Sequence, residues 1–333
     1  MFPFHVMSGR NVRDIIETSR TEIFDRVRDT YLAHNRGDTI NPDSYFLRFP
    51  EKPNARIIAL PALLRGTPGV AGIKWISSFP DNVTRNVPRA SAALLLNDFE
   101  TGYPFACLEA AQISAARTAA SAVLGAEELH GSRTAGKVAV IGAGVISRNI
   151  LEFLHALNWD IEDVTVHDAV PEYAAKAARY SESLGYRGSV AGSLAEAVEG
   201  ADLVVLATTA ASPYIVDDLF GPEHTVLNIS LRDIGADTIA RSHNVLDDIE
   251  HCLKQSTSPD LAVQAYGHRD FIDGTIAQLL LGEVKLTRSK PRIFSPFGLG
   301  VLDLAVGLEV FTIGMRTGRA VEVPEFFAEV ERW

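Results

Sequence analysis

The sequence predicts an α/β protein in which a Rossmann-like, doubly wound parallel sheet is joined to a second, α+β domain. Three observations predict this fold. Strand-like and helix-like runs alternate from Lys137 onward. Residues 138–147, VAVIGAGVIS, read as a β-branched strand, a tight glycine turn and the start of a helix. Before residue 110, short strand-like runs bounded by Pro and Gly follow one long amphipathic segment, an order typical of an α+β unit.

The N-terminal third predicts one helix followed by short, largely antiparallel strands. Apolar residues recur at helical spacing over residues 11–34, which predicts an amphipathic helix. The strand-like runs that follow are residues 45–49, 56–60, 71–77, 92–97 and 105–109. The Ala-rich segment 110–129 predicts a helix that leads into the second domain.

The second domain begins where the alternation begins. Its strand-like runs are residues 138–141, 164–167, 189–191, 203–208, 225–229 and 244–246. Helix-like runs lie between several of them, and Pro171 suits the first turn of the run 171–184. An apolar helix from about residue 301 to 315 is expected to return to the N-terminal domain. We therefore predict one domain from residues 1–118 with 303–333, and a Rossmann domain from residues 119–302.

The glycine turn has the context that a dinucleotide-binding site requires. Gly142 allows the sharp turn, and Gly144 allows a pyrophosphate to approach the positive end of the following helix. The amides expected to face the pyrophosphate there are those of Val145 and Ile146. Asp168 ends the second strand, near the spacing of about 20 residues at which an acid binds the adenosine ribose. A carboxylate repels a 2′-phosphate, so NAD is the predicted cofactor, although Ser147 departs from the usual third Gly or Ala and a lone Gly-x-Gly is often only a turn.

Composition and charge exclude several classes of function. The net charge of −11 over 333 residues argues against a nucleic-acid surface, and an anionic substrate must be held by a local group of cations. The sequence contains no apolar run long enough for a membrane helix and no signal-peptide pattern. Cys107 and Cys252 form no metal-type cluster and fit free thiols in a reducing cytoplasm. The histidines show no metal-ligand spacing either, so no metal is predicted.

Two cations occupy unusual positions. Lys74 lies inside the apolar run Ile-Lys-Trp-Ile, where burial is costly without a partner or a task. The alternative is a strand-edge lysine with its amine in solvent. Arg117 lies in the Ala/Ser-rich helical run 113–120, where small neighbours allow close packing and the guanidinium can bind a carboxylate in bidentate fashion. Its alternative is a structural ion pair with a neighbouring domain.

Polar residues that follow the strands of the second domain are candidates for chemistry. Asp233 comes after the apolar run 226–230, at the edge where doubly wound sheets bind ligands, although a single loop aspartate more often forms a turn or cap. Residues placed to reach the nicotinamide half of the cofactor are Thr208, Thr209, Ser230, Phe297 and Gly298. Threonine is also common in strands for packing, and a glycine can serve a turn alone.

Several motifs together resemble the ornithine cyclodeaminase/μ-crystallin family in order and spacing. They are Gly72-Ile-Lys-Trp-Ile76, the run 113–120, the Gly142 turn, Asn228-Ile-Ser-Leu-Arg-Asp233 and Phe297-Gly-Leu-Gly300. The resemblance covers essentially the whole chain. It implies a catalytic lysine at Lys74, a catalytic acid at Asp233 and an α-carboxylate ligand at Arg117. The further substrate contacts it suggests are Arg48, Arg89 and Ser91, of which the two arginines could equally be ordinary surface residues. It also implies a homodimer formed through strands of the N-terminal domain.

Shorter runs are most similar to the branch of this family that supplies 2,3-diaminopropionate. They include Tyr45-Phe-Leu-Arg48, Arg89-Ala-Ser91 and Asp247-Asp248. This resemblance implies NAD-dependent oxidation of N-(2-amino-2-carboxyethyl)-L-glutamate followed by hydrolysis. The family's cyclodeaminases have glycines where this chain has Leu231 and Arg232, which argues against simple ornithine chemistry. The alternatives are an ornithine or lysine cyclodeaminase, a ketimine reductase or amino-acid dehydrogenase, and a cofactor-bound binding protein without catalysis.

Overall fold

The computed structural model describes residues 2–66, 69–329 and 331. The chain forms two compact units, Met1–Arg117 with Leu299–Trp333, and Thr118–Gly298. The predicted return to the first domain at residue 303 is too late. The final long helix, Gly300–Arg316, belongs to the first unit over its whole length, so the chain returns at Leu299.

Within the described residues, strands and α-helices follow one another along both units. The strands are β1 (His5–Met7), β2 (Thr39–Ile40), β3 (Tyr45–Phe49), β4 (Lys52–Leu64), β5 (Val70–Ser78), β6 (Ala90–Asp98), β7 (Pro104–Glu109), β8 (Thr134–Ile141), β9 (Asp160–His167), β10 (Arg187–Val190), β11 (Leu203–Leu206), β12 (Thr225–Asn228), β13 (His243–Leu246), β14 (Ile272–Thr275), β15 (Arg292–Ser295) and β16 (Val321–Glu322). The α-helices are α1 (Gly9–Thr18), α2 (Arg20–Asn35), α3 (Ala111–His130), α4 (Val145–Ala156), α5 (Pro171–Ser183), α6 (Leu194–Val198), α7 (Ala236–Arg241), α8 (Ile249–Cys252), α9 (Ser258–Tyr266), α10 (Ile276–Leu280) and α11 (Gly300–Arg316).

The segment predicted as one helix over residues 11–34 is two helices, so that prediction is wrong in its continuity. Ser19 lies between them with φ −132° and ψ 30°, outside the helical region. The apolar spacing continues across the break because α1 and α2 both bury their apolar residues, which hides the interruption from a periodicity argument.

The first unit is built on a mixed sheet. Its strand order is β16-β1-β7-β6-β5-β4-β2, and β3 pairs with β4. Strands β1 and β7 run parallel, and the other described pairs run antiparallel, as expected for a largely antiparallel α+β unit. Helix α11 packs closely on one face of this sheet: a Cβ on Gly307 would lie 2.1 Å from Leu94 Cδ2, so only glycine permits the approach.

The second unit contains the predicted Rossmann-like sheet. Eight strands pair in the order β10-β9-β8-β11-β12-β15-β13-β14, and every described pair is parallel. Strands β14 and β15, of four residues each, were not predicted. In a parallel sheet all carboxyl ends meet at one edge, and at this edge Gly142 follows β8 and Asp168 follows β9.

Candidate active site

Lys74 is buried and ion-paired. Its side chain is 2% exposed, so a strand-edge lysine with its amine in solvent is excluded. The ammonium donates to Asp303 Oδ2 at 2.6 Å and to Ser114 Oγ at 3.2 Å. Burial lowers the pKa of Lys74 to about 8, and the carboxylate of Asp303 partly offsets that shift.

Arg117 joins Lys74 on the same carboxylate. Its Nε donates to Asp303 Oδ1 at 3.2 Å, while the arginine side chain is 12% exposed and that of Asp303 is fully buried. Arg117 therefore does form an ion pair, but within the first unit and not with the neighbouring domain considered for it. Two cations here share one anion, which leaves an excess of positive charge when Lys74 is protonated.

Three arginines gather at one corner of the same sheet. Arg48 lies directly opposite Arg56 across the β3–β4 pair, and Arg56 lies opposite Ser78 on β5. Arg89 donates from Nε to the hydroxyl of Ser78 at 3.2 Å. Since Lys74 and Ser78 are four residues apart on β5, strand alternation puts Arg48 and Arg56 on the face of the sheet that carries Lys74.

Ser91 does not lie on the face of the sheet that carries Lys74 and these arginines. It lies opposite Ser77 across the β5–β6 pair, and its hydroxyl is 2.8 Å from that of Ser77. Ser77 is an odd number of residues from Lys74, so both serines point to the opposite face of the sheet. The predicted substrate contact at Ser91 therefore does not lie on the face that carries Lys74, because the motif position gave no information about which face the residue would occupy.

The glycine turn in the second unit fits a dinucleotide. Gly142 has φ +91°, and a Cβ there would lie 2.6 Å from the carbonyl oxygen of Ala207. A Cβ on Gly144 would meet no described atom within 4 Å, which leaves room for a phosphate group at this point. Val145 begins α4, and no side chain caps this helix, so its first amides are free to bind an anion. The hydroxyl of Ser147 donates to the carbonyl of Gly142, which makes serine a compatible third residue.

Asp168 lies directly after β9, beside the turn. One of its carboxylate oxygens accepts from the backbone N–H of Ala143 at 2.7 Å, and the other accepts from that of Val170 at 2.8 Å. These bonds hold the carboxylate at the carboxyl edge of the sheet, where a ribose diol would be bound. Each oxygen keeps a further lone pair with which to accept from a hydroxyl.

Asp233 is the centre of a hydroxyl cluster. Its carboxylate is fully buried and accepts from Ser230 at 2.6 Å, from Thr208 at 2.9 Å to both oxygens, and from Tyr214 at 3.0 Å. Burial raises the pKa of Asp233, and the three hydroxyl bonds partly oppose that shift. The carboxylate caps no helix, since the N-cap of α7 is Gly235, so the turn-or-cap alternative does not describe it.

Two of the predicted nicotinamide contacts are thus engaged with Asp233. The hydroxyls of Thr208 and Ser230 both donate to this carboxylate, while Thr209 is exposed. The guanidinium of Arg232, which could have added a cation to the site, donates to the backbone oxygen of Gln255.

The Phe297-Gly298 turn is held by the carboxylate of Asp247, a residue that entered the sequence analysis only as part of a family motif. Asp247 follows β13 and is buried. Its oxygens accept from the backbone N–H of Phe297 at 3.0 Å, of Gly298 at 2.7 Å and of Asp248 at 3.0 Å. Gly298 has φ +98°, so this position requires glycine for its conformation.

Four residues at these sites were not predicted from the sequence, and one of them, Asp303, occupies a position that is unusual in the sequence. Asp303 is a single carboxylate near the start of the apolar helix α11, an anomaly of the same kind as Lys74 in its strand. Ser114, Arg56 and Tyr214 have no comparable signal, because each is an ordinary residue in its local sequence.

Neither a metal site nor a membrane span is found in the part of the chain that the structure describes. No group of three or more His, Cys, Asp or Glu is placed to hold a metal ion there. None of the helices among those residues combines the length and the apolar character needed to cross a bilayer.

The second unit, with its parallel sheet, glycine turn and strand-end aspartate, defines the chain as a protein of the Rossmann class. The particular family follows from comparison with known proteins. The model of the ornithine cyclodeaminase/mu-crystallin family matches residues 8–306, and the chain belongs to that family.

Individual relatives are similar over most of their length. The chain is 30% identical to the N-((2S)-2-amino-2-carboxyethyl)-L-glutamate dehydrogenase of Staphylococcus aureus over 291 residues, 84% of this chain and 86% of that protein. Its fold matches the Thermococcus litoralis Δ(1)-pyrroline-2-carboxylate reductase, solved with NADH and L-proline, with a TM-score of 0.87 at 24% identity over 96% and 99% of the two chains. It also matches a dimeric archaeal alanine dehydrogenase with bound NAD, with a TM-score of 0.86 at 23% identity over 98% and 100%.

Proposed function

We propose that this protein is an NAD-dependent dehydrogenase acting on the CH–NH bond of an amino-acid-type secondary amine. The proposed substrate is N-(2-amino-2-carboxyethyl)-L-glutamate, and the products are L-2,3-diaminopropionate and 2-oxoglutarate. The similarity to the S. aureus dehydrogenase supports this substrate. Such a reaction would supply diaminopropionate for a siderophore or a peptide antibiotic.

The observation that carries the proposal is the charge of the cluster around Asp303. Lys74 and Arg117 bring two positive charges to one buried carboxylate. A buried excess charge is unfavourable unless a counter-ion binds. A substrate carboxylate is such a counter-ion, and Arg117 can bind it through the nitrogens that Asp303 leaves unused.

The corner of the first sheet where Arg48, Arg56 and Arg89 gather supports a substrate with more than one carboxylate. Arg48 lies opposite Arg56 on the face of the sheet that carries Lys74, and Arg89 reaches the same corner through Ser78. Guanidinium groups such as those of Arg48 and Arg89 are suited to bind a second carboxylate. The proposed adduct carries three carboxylates, whereas alanine or a cyclic imine carries one.

NAD, when bound, accepts a hydride from the Cα of the glutamate half, which leaves a C=N bond in the substrate. The chain would hold the pyrophosphate with the amides of Val145 and Ile146 beside Gly144, and the adenosine ribose with Asp168. The negative charge of Asp168 favours NAD over NADP.

Asp233 is the proposed acid–base group. Water adds to the carbon of the C=N bond while the Asp233 carboxylate takes a proton from that water. Asp233 then returns this proton to the amine nitrogen, and the C–N bond breaks. The hydroxyl left on the carbon gives its own proton to Asp233 as its oxygen becomes the carbonyl of the 2-oxo acid, and the amine is released. Lys74 is a second group able to move a proton, because its pKa of about 8 allows both forms near neutral pH.

We propose a homodimer formed through the face of the first sheet opposite Lys74. This face exposes large apolar side chains, including Trp75 at 46% and Tyr45 at 70% exposure, which lie in one cross-strand row. Leu47 and Leu95 on the same face are also exposed. Contiguous apolar surface of this kind is typical of an interface, and an archaeal alanine dehydrogenase of the same fold is a dimer.

The two free cysteines fit the cytoplasmic location that we also propose.

A ketimine reductase is the second candidate, since the fold also matches a Δ(1)-pyrroline-2-carboxylate reductase. A small cyclic imine has one carboxylate, for which Lys74 and Arg117 suffice. A single carboxylate leaves no substrate contact for Arg48 or Arg89, which the family resemblance suggests as further contacts, so this activity is less favoured.

The test is a mass-spectrometric assay with purified protein, NAD and the synthetic adduct. We expect 2-oxoglutarate and diaminopropionate in equal amounts, together with NADH. Lys74→Ala and Asp233→Ala are expected to lower turnover by about 100-fold or more while NAD still binds, as measured by fluorescence titration. The proposal fails if the adduct is unchanged while pyrroline-2-carboxylate is reduced, or if both variants keep wild-type turnover.

A further inference from the structure

We propose that Tyr214 is a positioning residue that keeps the Asp233 carboxylate in its charged form and connects it to solvent. This inference rests on the proposed role of Asp233 in proton transfer. Tyr214 lies in the segment between β11 and β12 and has no distinctive sequence signal of its own.

The backbone fixes Tyr214 against the loop that carries Asp233. The backbone N–H groups of Tyr214 and Ile215 both donate to the carbonyl oxygen of Asp233, at 3.1 and 3.0 Å. Ile215 also forms a parallel bridge with Ile234, the residue after Asp233. These contacts position the phenol, whose hydroxyl donates to Asp233 Oδ2 at 3.0 Å.

The Tyr214 phenol stabilises the charged form of the Asp233 carboxylate. Burial and the adjacent Asp233 raise the pKa of Tyr214, so the phenol stays protonated and remains a donor. A donor favours the charged form of a carboxylate, and the hydroxyls of Ser230, Thr208 and Tyr214 each lower the pKa of Asp233 against the effect of burial.

Charged groups on the neighbouring segments are engaged elsewhere. Arg232 donates to the backbone oxygen of Gln255, and Asp237 on α7 accepts from Tyr266. Arg241 at the end of α7 pairs with Asp218 at 2.6 Å. Among the described residues of the second unit, the three hydroxyls are therefore the groups that set the charge of Asp233.

Tyr214 also differs from the other two donors in its access to water. Its side chain is 40% exposed, whereas Thr208 and Ser230 are half-buried and Asp233 is fully buried. When Asp233 holds a proton, that proton can pass to the phenol oxygen while the phenol's own proton passes to a solvent water. The two transfers must be concerted, because a phenolate is disfavoured at this position.

The test is Tyr214→Phe, which removes one hydroxyl. We expect the acid limb of the kcat/KM profile to move up by about one pH unit, the size expected for losing one hydrogen bond to a charged group. The profile is measured with whichever CH–NH or C=N substrate the enzyme turns over. Tyr266→Phe is the matched control, because its hydroxyl also donates to an aspartate, Asp237 at 2.8 Å, and its profile should not change.

A second readout does not require turnover. The infrared band of the Asp233 carboxyl group, assigned by its loss in Asp233→Asn, is titrated in the wild type and in Tyr214→Phe. The same upward shift is expected in Tyr214→Phe, and coincident titrations in the two proteins would overturn the role of Tyr214. If the band shifts but the adduct is never oxidised, the proposed substrate fails and the inference stands. If the adduct is oxidised with an unmoved profile and an unmoved band, the inference fails and the proposed function stands.

Discussion

The ammonium of Lys74 lies 2.6 Å from Asp303 Oδ2, and both side chains are withdrawn from solvent. The two residues are 229 positions apart in sequence, and α11 returns to the first unit to bring them together. Arg117 occupies the other oxygen of the same carboxylate. The buried Asp303 carboxylate therefore fixes the positions of both cations. The positive charge that remains can be neutralised by a bound anion.

The first prediction concerns the alkaline limb of the pH profile. Lys74 has a pKa lowered to about 8, so the charged form is present below that value and is lost as the pH rises through it. Binding of a substrate carboxylate requires the charged form. We expect kcat/KM at saturating NAD to fall above pH 8, by about tenfold for each further pH unit.

Lys74→Arg is the control for this limb. A guanidinium stays charged across the whole range, so the variant should lose the decline above pH 8 even if its overall activity is lower. A wild-type profile that stays flat to pH 10 would contradict the assignment of this limb to Lys74.

The second prediction concerns Asp303→Asn. The substitution leaves two buried cations without their shared anion, and breaking a buried ion pair costs about 3 kcal/mol or more of unfolding free energy. It also removes the carboxylate that raises the pKa of Lys74, so the alkaline limb should move to lower pH. Urea unfolding at pH 7 measures the first effect, and the kcat/KM profile measures the second.

Glu309→Gln on the same helix is the matched control. Glu309 pairs with Arg26 at 2.7 Å, but the arginine is 45% exposed. Pairs of this kind contribute about 1 kcal/mol or less, so Glu309→Gln should unfold almost as the wild type does and keep its pH profile. Equal destabilisation by the two substitutions would argue that burial of the Asp303 pair has no special energetic role.

The sequence was sufficient for the Rossmann class because its signals are local. The strand before Gly142, the helix after Gly144 and the acid at Asp168 all lie within one short segment, and the structure brings them to one edge of the sheet. The same locality made Lys74 detectable, since a lysine inside an apolar strand is anomalous by itself.

Contacts between distant segments could not be predicted in the same way. Asp303 meets Lys74 only because α11 packs on β5, and Tyr214 meets Asp233 only through a loop with no periodic pattern. The face that Ser91 occupies could not be predicted either, because a motif match fixes a position in sequence, while the side of the strand depends on register. The break at Ser19 was missed because both helices continue the same apolar spacing.

The third prediction concerns cofactor choice. Asp168→Asn removes the charge that repels a 2′-phosphate but keeps a carbonyl oxygen that can accept from the N–H of Ala143. We expect the preference for NAD over NADP, measured as the ratio of kcat/KM values, to fall by about tenfold or more. A control substitution at the exposed Asp160, at the opposite end of β9, should leave the ratio unchanged. An unchanged ratio in Asp168→Asn would show that Asp168 does not contact the ribose.

The fourth prediction concerns the turn at Phe297 and Gly298. Asp247→Asn replaces one acceptor oxygen with an NH₂ group that would face a backbone N–H, and a mismatch of this kind costs about 1–3 kcal/mol. We expect faster hydrogen exchange at the amides of Phe297 and Gly298, and a higher KM for NAD.

Asp273→Asn separates this effect from general destabilisation. Asp273 accepts from the backbone N–H of Asn244 at 2.7 Å, at the other end of the strand that precedes Asp247. Its substitution should lower stability without changing the KM for NAD. A KM that rises equally in both variants would mean that the Asp247 bonds have no specific role at the cofactor site.

The fifth prediction concerns assembly. Trp75 and Leu95 are exposed on the sheet face opposite Lys74, so a charge placed there would disrupt a dimer without touching the cation cluster. Trp75→Glu should convert the sedimenting species to a monomer of 36.1 kDa, because burying an unpaired carboxylate in an apolar interface costs several kcal/mol. Leu281→Glu, at a residue that is 52% exposed in the second unit, is the control and should leave the assembly intact. If Trp75→Glu still sediments as a dimer, the interface does not lie on this face. If the wild type is a monomer, the proposed dimer does not exist.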